Sequence, residues 1–479
     1  MSAKRPVLLA LILFVVLWTV IPSLLHTAPP LDVVESGTWG REGVLLSYKH
    51  PNLPGLLIEA AYLLTGQYGW PQYLLSALAG AGTIWLVYLL GRSMLGPSHG
   101  TAGALLLLGC YYFMWPIPEF NHNVAQQPVW AAMALLLWLA VRDDRWWQWL
   151  LLAVIAGIGL YAKLSTLAVI GAGGIWLLAE PKARSRLLGF WPWIALLLFA
   201  VIAGGYAWQV EAGGRGLVRF IGQSGADGGG PVSFLSAQLL DILPLLIVVS
   251  LAVARRQPRH TETLEAAELS RVRRYLAIML AVPLLSGVVA AALTGAQDMW
   301  GAPMLNLVGL TIVAFWPRRF DAIAVRRIAT AGLVLVLVAP TLFAIRHVVS
   351  YHTAANPIRT QWPQQAIAAR LSEIWQEETA APLGIVGGNA WIAGLTSLNA
   401  SPRASVFYRL DPHLSPWVTA ERVASEGMLV VWQGQDWPDY ALPLSKEHVH
   451  GVEHFDWSTS SAAKPIEIGY VIVPPMPVR

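Results

Sequence analysis

Long runs of apolar residues, separated by short polar segments, dominate the first 346 residues of the chain. A helix needs roughly 17 to 25 mostly apolar residues to cross a bilayer. The first run follows Lys4-Arg5 and has no small-residue cleavage site after it, so we interpret it as a retained span. The pattern predicts a polytopic α-helical membrane domain over residues 1–346, with about eleven transmembrane helices. The predicted spans are 6–27, 70–91, 101–117, 124–141, 147–162, 164–179, 188–209, 234–253, 275–294, 303–316 and 328–345.

After Arg346 the pattern changes to short, alternating helical and strand-like segments. This alternation predicts a small layered α/β domain over residues 347–479. Gly387-Gly388 follows a predicted strand but lacks the GxGxxG spacing of a dinucleotide site, so we expect no nucleotide there. The predicted helices are 363–376 and 419–426, and the predicted strands are 383–386, 404–407, 428–432 and 466–473.

Composition and charge support a membrane protein and predict its orientation. Hydrophobic residues make up 56% of the chain and charged residues 13%, against about 25% charged in soluble domains. The net charge of +4 comes from basic residues clustered between apolar runs, so we interpret them as topology signals and expect no nucleic-acid partner. With a cytoplasmic N-terminus, eighteen lysines and arginines before Arg346 lie inside and five lie outside. An odd number of spans then places the C-terminal domain outside. Cys110 is the only cysteine, which excludes an intramolecular disulfide.

The first outer loop, residues 28–69, contains two acids and two basic residues close to the first span. Asp32 and Glu35 come first, and Lys49 and His50 follow. Such a set can deprotonate a hydroxyl while it neutralises a phosphate, although ordinary solvated loop charges are the alternative. Residues 53–64 are apolar but too few to span, so they predict an interfacial helix.

Several polar motifs follow one another along the chain in a recognisable order. They are Leu31-Asp32-Val-Val-Glu35, Trp39-Gly-Arg-Glu42, Tyr48-Lys-His-Pro51, Leu53-Pro54, Glu119-Phe-Asn-His-Asn123 with Pro128 and Trp130, Tyr161-Ala-Lys163-Leu-Ser-Thr166, Met299-Trp-Gly-Ala-Pro-Met304 and Asp411-Pro-His-Leu-Ser-Pro-Trp417. Together they resemble the bacterial membrane glycosyltransferases of the GT-C superfamily. The group in question contains the protein O-mannosyltransferases and the lipid A aminoarabinose and galacturonic acid transferases.

The resemblance implies transfer of a sugar from a polyprenyl-phosphate donor, with inversion, to an acceptor on the non-cytoplasmic face. It also implies a place in the bacterial inner membrane, among membrane lipids, with a periplasmic C-terminal domain. In such enzymes the first acid of the outer loop is the proposed catalytic base, which here falls on Asp32. The commoner family pattern is an adjacent Asp-Glu pair, whereas two valines separate Asp32 from Glu35. Glu35 could hold the acceptor or help to bind a cation, and either acid could instead cap a helix.

A departing phosphate beside hydrocarbon needs fixed positive charge. Lys163 is the first candidate because it interrupts apolar flanks at a tight outer turn. Snorkelling of its side chain to the interface is the alternative. Further phosphate-binding candidates are His50, Lys49 and, on a glycine-rich outer loop, Arg215 and Arg219.

Four other outer residues are candidates for substrate binding. Glu119 and His122 could bind sugar hydroxyls or help to hold a divalent cation, the one cofactor left open; a hydrated turn is the alternative. Asp298 and Trp300 offer a carboxylate and an aromatic face for stacking on a sugar, but tryptophan is also a common interface anchor.

A transporter or flippase of a lipid-linked or amphipathic substrate is the rival hypothesis, since it would also need many helices. The odd span count, the outer acidic loop and the lack of an evident internal repeat weigh against it. A noncatalytic scaffold would not need Asp32, Lys49, His50 and Lys163. The sequence leaves open the sugar and whether the acceptor is an envelope lipid, a glycan or a protein.

Overall fold

A computed structural model describes residues 4–212, 228–253, 265–316, 321–353, 357–444, 447–457 and 463–476 of the protein. Its contacts divide the chain into two compact units. The first, here called the helical unit, comprises residues 1–20, 49–51 and 73–342. The second, here called the mixed unit, comprises residues 21–48, 52–72 and 343–479. The mixed unit therefore combines most of the first outer loop with the predicted C-terminal domain.

The described α-helices range in length from 6 to 32 residues. In chain order they are α1 (Lys4–Leu25), α2 (Leu31–Arg41), α3 (Leu53–Thr65), α4 (Trp70–Leu95), α5 (Pro97–Leu106), α6 (His122–Asp143), α7 (Trp146–Ala162), α8 (Thr166–Ala179), α9 (Pro181–Arg186), α10 (Trp191–Ala212), α11 (Pro231–Asp241), α12 (Leu243–Ala252), α13 (Ala266–Leu293), α14 (Val308–Phe315), α15 (Ala322–Thr353), α16 (Gln364–Thr379), α17 (Ile392–Asn399) and α18 (Ala420–Glu426).

Six of these helices, α1, α4, α6, α10, α13 and α15, are long and apolar enough to cross a membrane. Two bent pairs also qualify: α11 with α12, bent by 41°, and the 3-10 turns of residues 298–305 with α14, bent by 54°. The protein is therefore a multi-pass membrane protein. The number of crossings and their sidedness stay predictions.

Helices lie at ten of the eleven predicted spans. The exception is 101–117, where α5 ends at Leu106 and two 3-10 turns follow at Leu107–Gly109 and Tyr111–Phe113. Prolines at 116 and 118 prevent a helix from continuing through the end of this apolar run, but they lie too far along the chain to explain why α5 ends at Leu106.

In the mixed unit, α2 and α3 cross closely because glycine lies at the crossing on both helices. A Cβ on Gly40 would collide with the carbonyl oxygen of Gly55, and a Cβ on Gly55 would collide with that of Ser36. The predicted interfacial helix is present as α3. It begins at Leu53-Pro54, where proline suits the first turn, and ends at Gly66 in a left-handed conformation.

The mixed unit also contains a five-stranded sheet with the order β2-β1-β3-β5-β4. The strands are β1 (Ile385–Gly388), β2 (Ser405–Tyr408), β3 (Met428–Gln433), β4 (His450–Phe455) and β5 (Ile466–Val473). β1 pairs in parallel with β2 and β3, while β5 is antiparallel to β3 and β4. Val386, Leu429 and Ile468 of the sheet share one buried core with Trp39 of α2 and Trp375 of α16.

The structure confirms a mostly helical protein with a small C-terminal sheet domain. Every helix and strand predicted after residue 346 is present within two residues of its expected start. The sequence pattern missed α17 and β4. β4 is an edge strand of mostly half-exposed residues, so it lacks the apolar signal that marked the other strands.

Candidate functional site

The two candidate acids lie on α2 in the mixed unit. Asp32 is half-buried in the first turn, whereas Glu35 lies one turn later and is only 6% exposed. A spacing of three residues places two side chains on the same side of a helix. The Thr38 hydroxyl donates to the Glu35 carbonyl oxygen at 2.7 Å. The two acids therefore share a helix face but differ in burial.

Aromatic residues from distant parts of the chain enclose Glu35, and we call this set the Glu35 cluster. The Tyr48 hydroxyl hydrogen-bonds to the Glu35 carboxylate. Tyr408, the last residue of β2, has its ring 5.9 Å from that of Tyr48, and its hydroxyl hydrogen-bonds with that of Thr38. The Trp39 ring lies 5.9 Å from Tyr48 and 6.3 Å from Tyr408.

The hydroxyl groups of this cluster stay protonated. Burial raises the pKa of Tyr48, and the charge of Glu35 and its hydrogen bond raise that pKa further. Burial also raises the pKa of Tyr408 well above its usual value, and the charge of Glu35 adds to the effect. Both phenols can therefore donate hydrogen bonds at any physiological pH.

Lys163 is the centre of a second cluster, which lies in the helical unit. It follows the last residue of α7 with an extended backbone (φ −168°, ψ 142°). Its ammonium group donates to the side-chain oxygen of Asn123 at 2.6 Å and lies 5.5 Å from the centre of the Trp300 ring. Both of these partners are uncharged. An amide can orient an ammonium group without neutralising it.

Two histidines belong to this Lys163 cluster. The rings of His50 and His122 are 4.4 Å apart, and Nε2 of His122 lies 2.9 Å from the carbonyl oxygen of Pro51. Burial lowers the pKa of His50 well below its usual value, and His122, Lys163 and Lys49 lower it further. His50 is therefore neutral at physiological pH and keeps one N–H donor.

One face of α6 fixes the turn between α7 and α8. Beyond the Asn123 contact, Ser165 Oγ donates to the side-chain oxygen of Gln126 at 2.8 Å. One turn further along α6, Nε1 of Trp130 lies 3.4 Å from the Thr166 hydroxyl. Positions 123, 126 and 130 lie on the same side of a helix, so α6 holds the Lys163 turn at three successive points.

The remaining candidates have different positions. Asp298 is exposed, and its backbone carbonyl accepts hydrogen bonds from Tyr112 at 2.5 Å and Gln238 at 3.0 Å. Glu119 is half-buried in the segment before α6. Arg215 and Arg219 lie outside the described residues. Thus the helical unit brings together Lys49, His50, His122, Lys163 and Trp300, while Asp32 and Glu35 belong to the mixed unit.

Sequence reasoning named Asn123, Ser165 and Tyr48 only as members of motifs, and it did not single out Gln126 or Tyr408. Gln126 and Ser165 had a signal, because polar side chains within apolar helices must find hydrogen-bond partners. Tyr408 had no such signal, since 370 residues separate it from Thr38.

Across the parts of the chain that the structure describes, no group of three or more His, Cys, Asp and Glu side chains is placed to hold a metal ion.

Residues 49–208 match the family model of the dolichyl-phosphate-mannose-protein mannosyltransferases. Comparison with curated proteins gave no significant match. The matched range contains Lys49, His50, Glu119, His122 and Lys163, so it covers most of the Lys163 cluster. The match supports a glycosyltransferase in general.

Two solved structures are similar to this chain along almost its whole length. Both are crystal structures of ArnT from Cupriavidus metallidurans, one bound to undecaprenyl phosphate and one in the apo state, with TM-scores of 0.67 and 0.66. In each case the match covers 98% of both chains at 14% sequence identity. The comparisons confirm the resemblance to the GT-C superfamily, and the chain has the GT-C membrane fold.

Proposed function

We propose that this protein transfers a sugar from a polyprenyl-phosphate donor to an envelope lipid, glycan or protein acceptor, with inversion at the sugar. The observation that carries the proposal is the Lys163 cluster. It brings the positive charges of Lys163 and Lys49 close to His50 in a protein with the GT-C fold, which suits the phosphate of a lipid-linked donor. A similar fold has been solved with undecaprenyl phosphate bound, which supports a donor of that class.

The Lys163 cluster can bind the donor phosphate through several groups. Lys163 supplies the positive charge, and the 2.6 Å contact with Asn123 sets the direction of its ammonium group. The neutral His50 can add one N–H donor, and Lys49 a second charge. As the bond to the sugar breaks, negative charge grows on the phosphate, and fixed donors stabilise it without reorganisation. The Trp300 ring, 5.5 Å from the ammonium group of Lys163, is proposed to stack on the sugar.

Asp32 is proposed as the general base. It takes the proton of the acceptor hydroxyl as that oxygen attacks the anomeric carbon. The bond between this carbon and the phosphate oxygen breaks, and its electron pair stays on the polyprenyl phosphate. A single displacement of this kind inverts the anomeric centre. Of the two acids on α2, Asp32 is the more exposed, and a base must reach its proton donor.

The proposed location is the bacterial inner membrane, with the residues after 346 in the periplasm. The split of basic residues between the two sides supports this orientation. Paired reporter fusions at residue 350 test it: alkaline phosphatase should be active and a cytoplasmic reporter silent. The reverse pattern would place the domain in the cytoplasm.

Proteoliposomes that contain the purified protein and a polyprenyl-phosphate-linked radiolabelled sugar test the reaction itself. We expect label on an acceptor and release of polyprenyl phosphate, with neither product when Asp32 is replaced by Asn. Movement of intact donor between leaflets without release of polyprenyl phosphate would indicate a flippase instead. Mass spectrometry of envelope lipids and glycans from a deletion strain would identify the acceptor.

A further inference from the structure

The C-terminal domain contributes Tyr408 to the Glu35 cluster. Tyr408 ends β2, and the next residue, Arg409, continues the pairing by donating its N–H to the Gly388 carbonyl at 2.8 Å. The Tyr408 N–H donates to Ser415 Oγ at 2.8 Å. Both bonds fix the strand end that holds the Tyr408 ring. The position of this phenol therefore depends on the sheet.

From that fixed strand end, Tyr408 contacts α2 directly. Its hydroxyl hydrogen-bonds with Thr38, and the Thr38 hydroxyl also lies 2.7 Å from the Glu35 carbonyl oxygen. Thr38 is 2% exposed and Tyr408 2% exposed, so water does not compete for this contact. The link runs from the sheet to the backbone of the helix that carries both acids.

Tyr48, which follows α2 in the first outer loop, completes the Glu35 cluster. Its hydroxyl hydrogen-bonds to the Glu35 carboxylate, and its ring contacts those of Trp39 and Tyr408. Tyr48 directly precedes Lys49 and His50 in the sequence. A buried carboxylate that loses a hydrogen-bond donor is strongly destabilised. The hydrogen bond between Tyr48 and Glu35 therefore holds the Glu35 side chain and the backbone at Tyr48 in place.

We infer that Tyr408 and Tyr48 are positioning residues for the reaction, and that Glu35 acts through them as an anchor of α2 rather than as a second base. On this inference, the C-terminal domain helps to position the first outer loop, which carries Asp32 and Glu35. This inference rests on the proposed function. It gives the domain after residue 346 a role that neither the motif nor the family match assigns.

Tyr408→Phe tests the inference because it keeps the ring and removes one hydroxyl. We expect kcat to fall about tenfold, with the KM for the donor unchanged and the midpoint of thermal unfolding lowered no further than in Tyr440→Phe. Tyr440→Phe is the matched control. Its hydroxyl donates to the Val431 carbonyl of β3 at 3.2 Å, in the same domain. Equal kcat in the two variants would overturn the inference.

Thr38→Val removes the hydrogen bond to Tyr408 by changing its partner on α2. It tests the inference if Tyr408→Phe does not fold. Reduced kcat at wild-type stability supports the inference, and normal kcat contradicts it.

A double-mutant cycle tests the role of Glu35. The loss in Tyr48→Phe should not deepen when Glu35→Gln is added, because both changes act on one contact. Additive losses would show that they act separately.

The two failures are distinguishable. A wild-type protein that transfers no sugar refutes the proposed function. A wild-type protein that transfers sugar, with Tyr408→Phe as active as Tyr440→Phe, refutes only the positioning role.

Discussion

The Glu35 cluster and the Lys163 cluster handle an ionisable side chain in opposite ways. Glu35 is 6% exposed and is hydrogen-bonded by Tyr48, next to Tyr408 from the far end of the chain. Lys163 is half-buried and contacts the neutral side chains of Asn123 and Trp300. A buried, hydrogen-bonded charge stabilises one geometry. The ammonium group of Lys163 can form charge-assisted hydrogen bonds with an incoming anion. The comparison is why we infer an anchoring role for Glu35 and propose a phosphate-binding role for Lys163.

The largest expected effect lies outside both clusters, at Asp32. Asp32→Asn keeps the shape of the side chain but cannot accept a proton, so transfer should fall by about 10²–10⁴-fold. Single-turnover transfer in proteoliposomes measures this, with donor binding as the control for folding. If the variant turns over at a near-normal rate, Asp32 is not the base. Glu35 would then have to be tested as the base, and its proposed anchoring role would have to be given up.

Lys163→Ala should give the next largest loss. Removal of the main cation should weaken binding of the donor phosphate and slow its departure, by about 10²-fold in kcat/KM. Lys163→Arg keeps the charge and should retain more activity. Side-chain snorkelling alone would make both changes mild. If the affinity for polyprenyl phosphate is unchanged in Lys163→Ala, Arg215 and Arg219 become the next residues to test.

Asn123→Asp tests whether the neutral partner matters. A carboxylate in place of the amide would lie about 2.6 Å from the ammonium group and pair with it. We expect the KM for the donor to rise about tenfold, because the new carboxylate would compete with the phosphate for the ammonium group. Asn123→Ala, which removes the contact but not the charge, should have the smaller effect. Equal KM in the two variants would mean that Asn123 only orients the lysine.

The sequence could predict the Lys163 cluster better than the Glu35 cluster. Lys163 and His50 are ionisable groups near apolar runs, and the membrane makes such groups conspicuous. The family order of motifs also pointed to Asp32 and Glu35. The sequence could not show that Glu35 would be enclosed by Tyr408, because that contact depends on how β2 ends and on the glycine crossing of α2 and α3. Local pattern carries little information about such distant pairs.

Glu35→Gln should cause a smaller loss than Asp32→Asn, Lys163→Ala or Asn123→Asp. The amide oxygen can still accept a hydrogen bond from Tyr48, so the anchor survives in weakened form and kcat should fall only a few-fold. Steady-state kinetics beside Asp32→Asn measure the difference. A loss as large as that of Asp32→Asn would show that the two acids act as one catalytic unit.

The smallest effect on turnover is expected at Arg403, which lies in the mixed unit but outside the Glu35 cluster. Its guanidinium donates to both oxygens of Glu59 at 2.7 and 2.8 Å and lies 3.8 Å from the centre of the Tyr62 ring. This pair links the segment just before β2 to α3, and its side chains are only 17% and 13% exposed. The contact therefore contributes to the stability of the mixed unit.

Arg403→Lys would lose the two-fold hydrogen bonding and the planar stacking, because an ammonium group is a point charge on a flexible stem. We expect the midpoint of thermal unfolding to fall by roughly 2–4 °C, with kcat almost unchanged. Arg370→Lys is the matched control, since Arg370 contacts Glu453 at 3.3 Å in a more exposed pair and such pairs add little stability. If Arg403→Lys lowered kcat without lowering the unfolding midpoint, Arg403 would have to be regarded as a further positioning residue of the first outer loop.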